Sequence, residues 1–135
     1  MVCIYCGNST QVTNSRLQKR ANQVWRRRSC TVCSNTFTTH EAADLTASIV
    51  VQYSPRELRP FSRDMLFISI YESCKHRPTA VQEADELTQT VLSLLRPQIN
   101  SGTLLREQIV LVTSEALARF DKTAATIYSA FHKAA

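Results

Sequence analysis

The chain has 135 residues, a formal charge of +5 and 44% hydrophobic side chains, enough for one modest domain or two small ones. Its only glycines are Gly7 and Gly102, which excludes a glycine-rich phosphate loop; a nucleotide would be held by basic side chains and by helix or turn amides. No stretch approaches membrane-spanning length and no apolar signal segment precedes the cysteines, so a cytoplasmic, reducing setting without membrane attachment is expected.

Composition shifts near Ser48. Residues 1–47 are poor in large aliphatic side chains and residues 48–135 are rich in them, which gives two expected domains with those bounds and an α+β chain. A unit of this small size does not bury enough apolar surface to offset its ordering entropy unless it is stapled. Cys3, Cys6, Cys30 and Cys33 form two Cys-x-x-Cys knuckles, and four soft thiolates in two tight pairs suit one tetrahedral Zn(II). Iron at the same ligands, a disulfide scaffold and a thioredoxin-like pair are the alternatives. A reducing compartment disfavours disulfides, and redox chemistry would want its Cys-x-x-Cys opening a helix.

In chain order, Gly7 follows the first knuckle, where a tight turn needs tolerance of positive φ. Strands are expected over Gln11 to Leu17 and Gln23 to Arg28, joined by a polar turn centred on Gln18 to Ala21. After the second knuckle, Thr36, Phe37, Thr38 and Thr39 have strand chemistry. The first unit therefore reads as a zinc ribbon of three short strands. The second opens with a strand over Ala47 to Tyr53, a Ser-Pro-Arg-Glu turn and a returning strand over Leu58 to Phe61.

Ser62 is a good N-cap for a helix to about Lys75 with Leu66, Ile70 and Cys74 on one stripe. Arg77-Pro78 ends it, and a helix from Ala80 to Leu95 carries Ala84, Leu87, Val91 and Leu94 or Leu95 inward. A third helix over Leu104 to Arg119 aligns Leu105, Ile109, Val112 and Ala116. The last begins near Asp121 and carries Ala124, Ile127, Tyr128 and Phe131. Cys74 reads as a small buried hydrophobe.

Enzymatic chemistry has little support: His40, His76 and His132 stand in no metal or nucleophile spacing. Charge points elsewhere. Through His40 the chain has Arg16, Lys19, Arg20, Arg26, Arg27 and Arg28 and no acid, a concentrated electrostatic footprint beside the cysteines. On a strand, Arg26 and Arg28 project together and Arg27 oppositely; their forked donors suit phosphates or guanine edges. Trp25 reads either as a base-stacking residue or, preferred, as packing over the zinc ribbon, which has few other large side chains. Arg16, Lys19 and Arg20 widen the phosphate-contacting face.

The order CIYC, NSR, VWRRRSC, TVC and TFTTHE resembles the N-terminal zinc ribbon of the NrdR family, repressors of ribonucleotide reductase genes. VVQ, PFSRDML, the HRP of His76 to Pro78 and the late FDK are similar to that family's ATP-cone. The resemblance implies that the four cysteines bind Zn(II), that Arg26, Arg27 and Arg28 belong to a run contacting double-stranded promoter DNA, and that ATP or dATP in the cone sets a homo-oligomeric state. The resemblance puts nucleotide contacts at Val51, Gln52, Tyr53 and Met65, and Arg56, Arg59, Arg63, His76 and Arg77 are this chain's own positive donors for a triphosphate. Departures are concentrated in the cone, where Gln52 and Met65 stand where the family has lysines and Ser69 where it has glycine. Trp25 replaces the first basic residue of the run. Two other functional readings remain open at this point: an RNA-binding or ribosome-associated ribbon with a structural helical unit, and a nucleotide-processing enzyme.

Overall fold

The computed structural model describes residues 1–133 and divides into two compact units, Met1–Ala43 and Asp44–Ala135. The division lies at Ala43/Asp44 instead of near Ser48, because Asp44 accepts a hydrogen bond from the Ala47 amide (3.0 Å) and starts a four-residue helix, α1 (Leu45–Ser48). Residues 47 and 48, expected to open a strand, are therefore helical. A local side-chain cap outcompetes the extended conformation that the following apolar run favours.

The first unit is one antiparallel sheet of β1 (Thr10–Gln18), β2 (Gln23–Cys30) and β3 (Thr36–Ala42), with β2 central. Its β1–β2 turn places Asn22 at φ 51°, a left-handed position that asparagine tolerates. The ladder of β1 on β2 shifts register between Val12 and Asn14, a bulge at Thr13. Among the described residues its buried hydrophobics are Cys3, Cys30 and Phe37. β1 is exposed along nearly its whole length, so apolar packing supplies little of this unit's stability.

The second unit contains a three-stranded sheet in the order β5-β4-β6, formed by β4 (Val50–Ser54), β5 (Glu57–Pro60) and β6 (Thr103–Leu105). Residues 104 and 105, expected to open a helix, belong instead to β6, which runs parallel to β4 with Val51 opposite Leu104. The preceding Gly102 has φ 75°, its carbonyl accepts from the Val50 amide at 2.8 Å, and an added Cβ would lie 3.2 Å from the Ser48 carbonyl oxygen. This close approach brings residue 104 beside β4.

Packed with the sheet are α2 (Arg63–Cys74), α3 (Ala80–Leu95), α4 (Arg106–Phe120) and α5 (Lys122–Phe131). Ser62 caps α2 by accepting from the Met65 amide, and Leu66, Ile70 and Cys74 are buried on one stripe. Burial pushes the Cys74 thiol up, consistent with a packing role. On α3, Ala84, Val91 and Leu95 are buried, whereas Leu94 is exposed. On α4 the buried stripe is Val110, Val112, Thr113, Ala116 and Leu117. Leu105 is its exposed N-cap, its amide donating to the Gln108 side chain, because β6 takes up the residues before Arg106. On α5, Ala124 and Tyr128 are buried, but Phe131 is 79% exposed.

A polar clamp ties the ends of three helices. Arg77, after α2, donates to both oxygens of Glu83 on α3 (2.7 and 2.8 Å) and to Asp121 before α5 (2.8 Å), while His76 lies 3.2 Å from the same Asp121 oxygen. The other Asp121 oxygen accepts from the Ala124 amide at 3.0 Å and so caps α5. That amide, then His76 and Arg77, hold the Asp121 carboxyl well below the usual carboxylate range, and Arg77 does the same for Glu83. A depressed native value means that the contribution is complete above the unfolded-state value, about 4, and is lost as pH falls below it. Asp121→Ala should therefore lower the melting temperature of the second unit at pH 7, and the difference from the parent should shrink as the titration proceeds below about pH 4. Thermal melts of both proteins across that range test this; a pH-independent difference would assign Asp121 a cap without a charge role.

Candidate metal centre and basic face

The knuckles are two copies of one local design. Cys3 and Cys30 each donate their amide to the carbonyl of an asparagine five residues on, Asn8 at 2.8 Å and Asn35 at 2.9 Å. Gly7 and Ser34, each following the second cysteine of its knuckle, both take positive φ, 76° and 61°. The Asn8 and Asn35 side-chain amides then turn back to the Cys6 and Cys33 sulfurs at 3.4 and 3.5 Å. The Tyr5 amide approaches Cys3 Sγ, and the Val32 and Cys33 amides approach Cys30 Sγ, all at 3.4 Å. Sulfur–amide contacts of this kind orient thiolates and stabilise their charge.

The four sulfurs all lie within 4.8 Å of one another, with Cys3–Cys33 at 3.7 Å and Cys6–Cys30 at 3.5 Å. A tetrahedron with Zn–S bonds of about 2.3 Å has sulfur–sulfur edges of about 3.8 Å, so the donor set fits Zn(II). The thiols ionise unequally. The Asn8 side chain leads in lowering Cys6 to about 6, whereas Cys33, although the Asn35 backbone lowers it, is raised to about 11 by burial and its neighbouring sulfurs. A dication favours the thiolate at all four.

Alternation on β2 separates the arginines as expected. Arg26 donates to Ser15 Oγ (3.1 Å) and pairs with Glu41 (2.8 Å), and Arg28 reaches Thr39 and Thr10, both at 3.4 Å. Cys30 and Phe37 belong to this face by register. Arg27 lies on the other face, exposed, donating to Thr36 (2.6 Å) and Thr38 (3.2 Å). Beside it, the Arg16 guanidinium lies 5.7 Å from the ring centre of Trp25, with His40 paired opposite Trp25. Trp25 is half-buried on this face of the ribbon, and on the other face Phe37, edge-on to Tyr5, packs beside the cysteines. Lys19 and Arg20 are exposed in the β1–β2 turn.

In the second unit, a pocket of about 300 Å³ is lined by Val51, Tyr53, Arg59 and Met65 from the expected nucleotide set. Gln52, Arg56, Arg63, His76 and Arg77 are not among its lining residues: Arg63 pairs with Asp85 at 2.6 Å, and His76 and Arg77 belong to the clamp. Arg106 and His132 also line the pocket, a placement that no spacing in the sequence announces.

Fold and site together define a four-thiolate zinc ribbon joined to an α+β unit dominated by helices. Residues 1–41 match the family model for the N-terminal domain of NrdR-like transcriptional repressors, a zinc ribbon. The chain is also 30% identical over 138 residues to the transcriptional repressor NrdR of Symbiobacterium thermophilum, covering 97% of this chain and 89% of that protein. It belongs to the NrdR family of transcriptional repressors. Among the described residues, no helix is long and apolar enough to cross a membrane.

Proposed function

We propose that the chain is a cytoplasmic, zinc-dependent repressor of ribonucleotide reductase genes whose second unit sets its homo-oligomeric state in response to ATP or dATP. The observation that carries the DNA-binding part is the outer face of the ribbon, where Arg16, Trp25, Arg27 and His40 stand together with no acidic residue in register. On the opposite face the Arg26 charge is already offset by Glu41. Arg27 and Arg16 are therefore the leading phosphate contacts, and Trp25 holds the Arg16 guanidinium on its ring. Lys19 and Arg20 extend the basic surface along the turn.

One such sheet covers only a small, phosphate-dominated footprint. Specificity for a promoter then needs two or more ribbons held at a fixed spacing, as half-sites require of dimeric readers. Contacts between second units would supply that spacing. A nucleotide acts by binding one assembly better than another, since equal affinity for both shifts nothing.

The test is a fluorescence-anisotropy titration on reductase-promoter duplex and a scrambled control at several salt concentrations. Replacing both Arg16 and Arg27 with alanine should weaken binding and reduce the salt slope by about 2, roughly 0.9 for each phosphate no longer neutralised, with zinc content unchanged. Replacing Arg26 should have a smaller effect. Absence of preference for the promoter duplex in the parent protein would sink the repressor mechanism, and a larger loss at Arg26 would move the phosphate-binding surface to the other face.

A further inference from the structure

We infer that the pocket in the second unit binds the phosphates of its ligand through Arg106 and His132, with Arg59 as the third cation; this rests on the nucleotide-responsive reading above. Among the described residues, the pocket is lined by three basic side chains from three elements and by no acidic residue. Arg59 comes from β5, Arg106 opens α4, and His132 follows α5. The hydroxyl-bearing Ser62 and Ser69 also line it, and Val51, Phe61, Leu66, Ile109 and Val110 give it an apolar wall. An apolar wall facing convergent cations suits a ligand with a flat hydrophobic body and an anionic tail, which is the chemistry of a nucleoside polyphosphate.

Three other basic residues of this unit are paired with acids. Arg63 is paired with Asp85, Lys75 with Glu72, and Arg77 with both Glu83 and Asp121. Arg106 donates instead to a carbonyl, that of Lys133, at 3.1 Å, and among the described residues it has no acidic partner. One such bond leaves the rest of its forked donor set for an anion.

His132 is held in place. Its ring stacks on Tyr128 with centroids 4.2 Å apart, and its Nδ1–H donates to the Tyr128 carbonyl at 3.1 Å. That bond fixes the tautomer and leaves Nε2 to meet a ligand, as a donor once protonated. Arg59 lies 4.7 Å over the Tyr53 ring and also pairs with Glu57, which offsets part of its charge and makes it the weaker of the two arginines. Met65, where the family resemblance places a lysine, lines the same pocket without charge.

Calorimetric titration of the zinc-loaded full chain with ATP and with AMP tests this. Arg106→Gln and His132→Gln should each weaken ATP by about 10- to 100-fold, the range for losing a charge-assisted bond. Both should narrow the preference for ATP over AMP, because phosphates beyond the first lose their partner. Arg106→Lys should recover part of the loss, and Arg119→Gln, exposed near the end of α4 and outside the pocket, should change neither ligand. ATP affinity unchanged in both glutamine variants would overturn the assignment, as would equal weakening of ATP and AMP, which marks damage to the fold. Loss of ATP binding in Arg56→Gln alone would place the phosphates at the turn between β4 and β5. A parent chain that binds no ATP would end the nucleotide-responsive reading and this assignment together, while leaving zinc-dependent DNA binding standing.

Discussion

Cys30→Ser is expected to unfold the first unit, release its metal and abolish DNA binding, while the second unit keeps its own melting transition. Cys30 donates its amide to the Asn35 carbonyl, receives amides at its sulfur and is one of three buried hydrophobic residues in the ribbon. Removing its thiolate therefore removes a ligand and part of an already minimal core. A structural zinc site is worth about 10–16 kcal/mol in small metal-folded domains, and the apolar contacts of this ribbon cannot replace that contribution. Chelation of the parent protein should give the same outcome. Metal release followed with a chromogenic chelator, alongside circular dichroism and DNA anisotropy, provides the measurement. Strand signal and DNA affinity that survive complete metal removal would refute a structural metal.

Ile70→Ala should have the opposite distribution of effects. Ile70 is fully buried in the second unit, whose core also includes Val51, Phe61, Val91, Leu104 and Leu117. Truncating a residue of this kind costs about 2–5 kcal/mol, through lost transfer energy and the cavity left behind. That is a large share of the roughly 5–15 kcal/mol that holds a typical domain folded. The second unit's transition should fall by about 10 °C or more in scanning calorimetry, with one zinc retained per chain. A fall of less than about 2 °C would mean that the site collapses around the smaller side chain and does not act as a rigid core position.

These two substitutions also separate what could be read from the sequence and what could not. The cysteine spacing and the strand chemistry around it announced a metal-held sheet, because each knuckle is a local object with its ligands close in sequence. Ser62, Ala80 to Leu95 and Asp121 were legible for a similar reason: caps and helical stripes are local patterns. β6 was not. Three residues carry no period, and the partner that makes Thr103–Leu105 a strand is β4, about fifty positions earlier.

Alternation assigns Arg26 and Arg28 to one face and Arg27 to the other, but it does not say which face covers the cysteines. Register puts Trp25 on the Arg27 face, away from Phe37. Asp121 can be read as a cap, whereas its bonds to His76 and Arg77 join residues more than forty positions apart. Arg106 and His132 carry no motif at all; only the packing of α4 and α5 brings them to the pocket that Arg59 and Met65 also line.

The duplicated knuckle has a kinetic consequence. Each copy gathers two sulfurs, an asparagine donor and a positive-φ corner within six consecutive residues, Cys3 to Asn8 and Cys30 to Asn35. Closing so short a loop costs little entropy, whereas joining the two copies requires the β1–β2 hairpin to form. The expected order of metal capture is stepwise, a half-site taking the ion by two sulfurs before the partner knuckle completes the tetrahedron. Substitutions at the Thr13 bulge or the Asn22 turn, far from any ligand, are then expected to change how fast the ribbon assembles around its metal, which stopped-flow zinc uptake would measure.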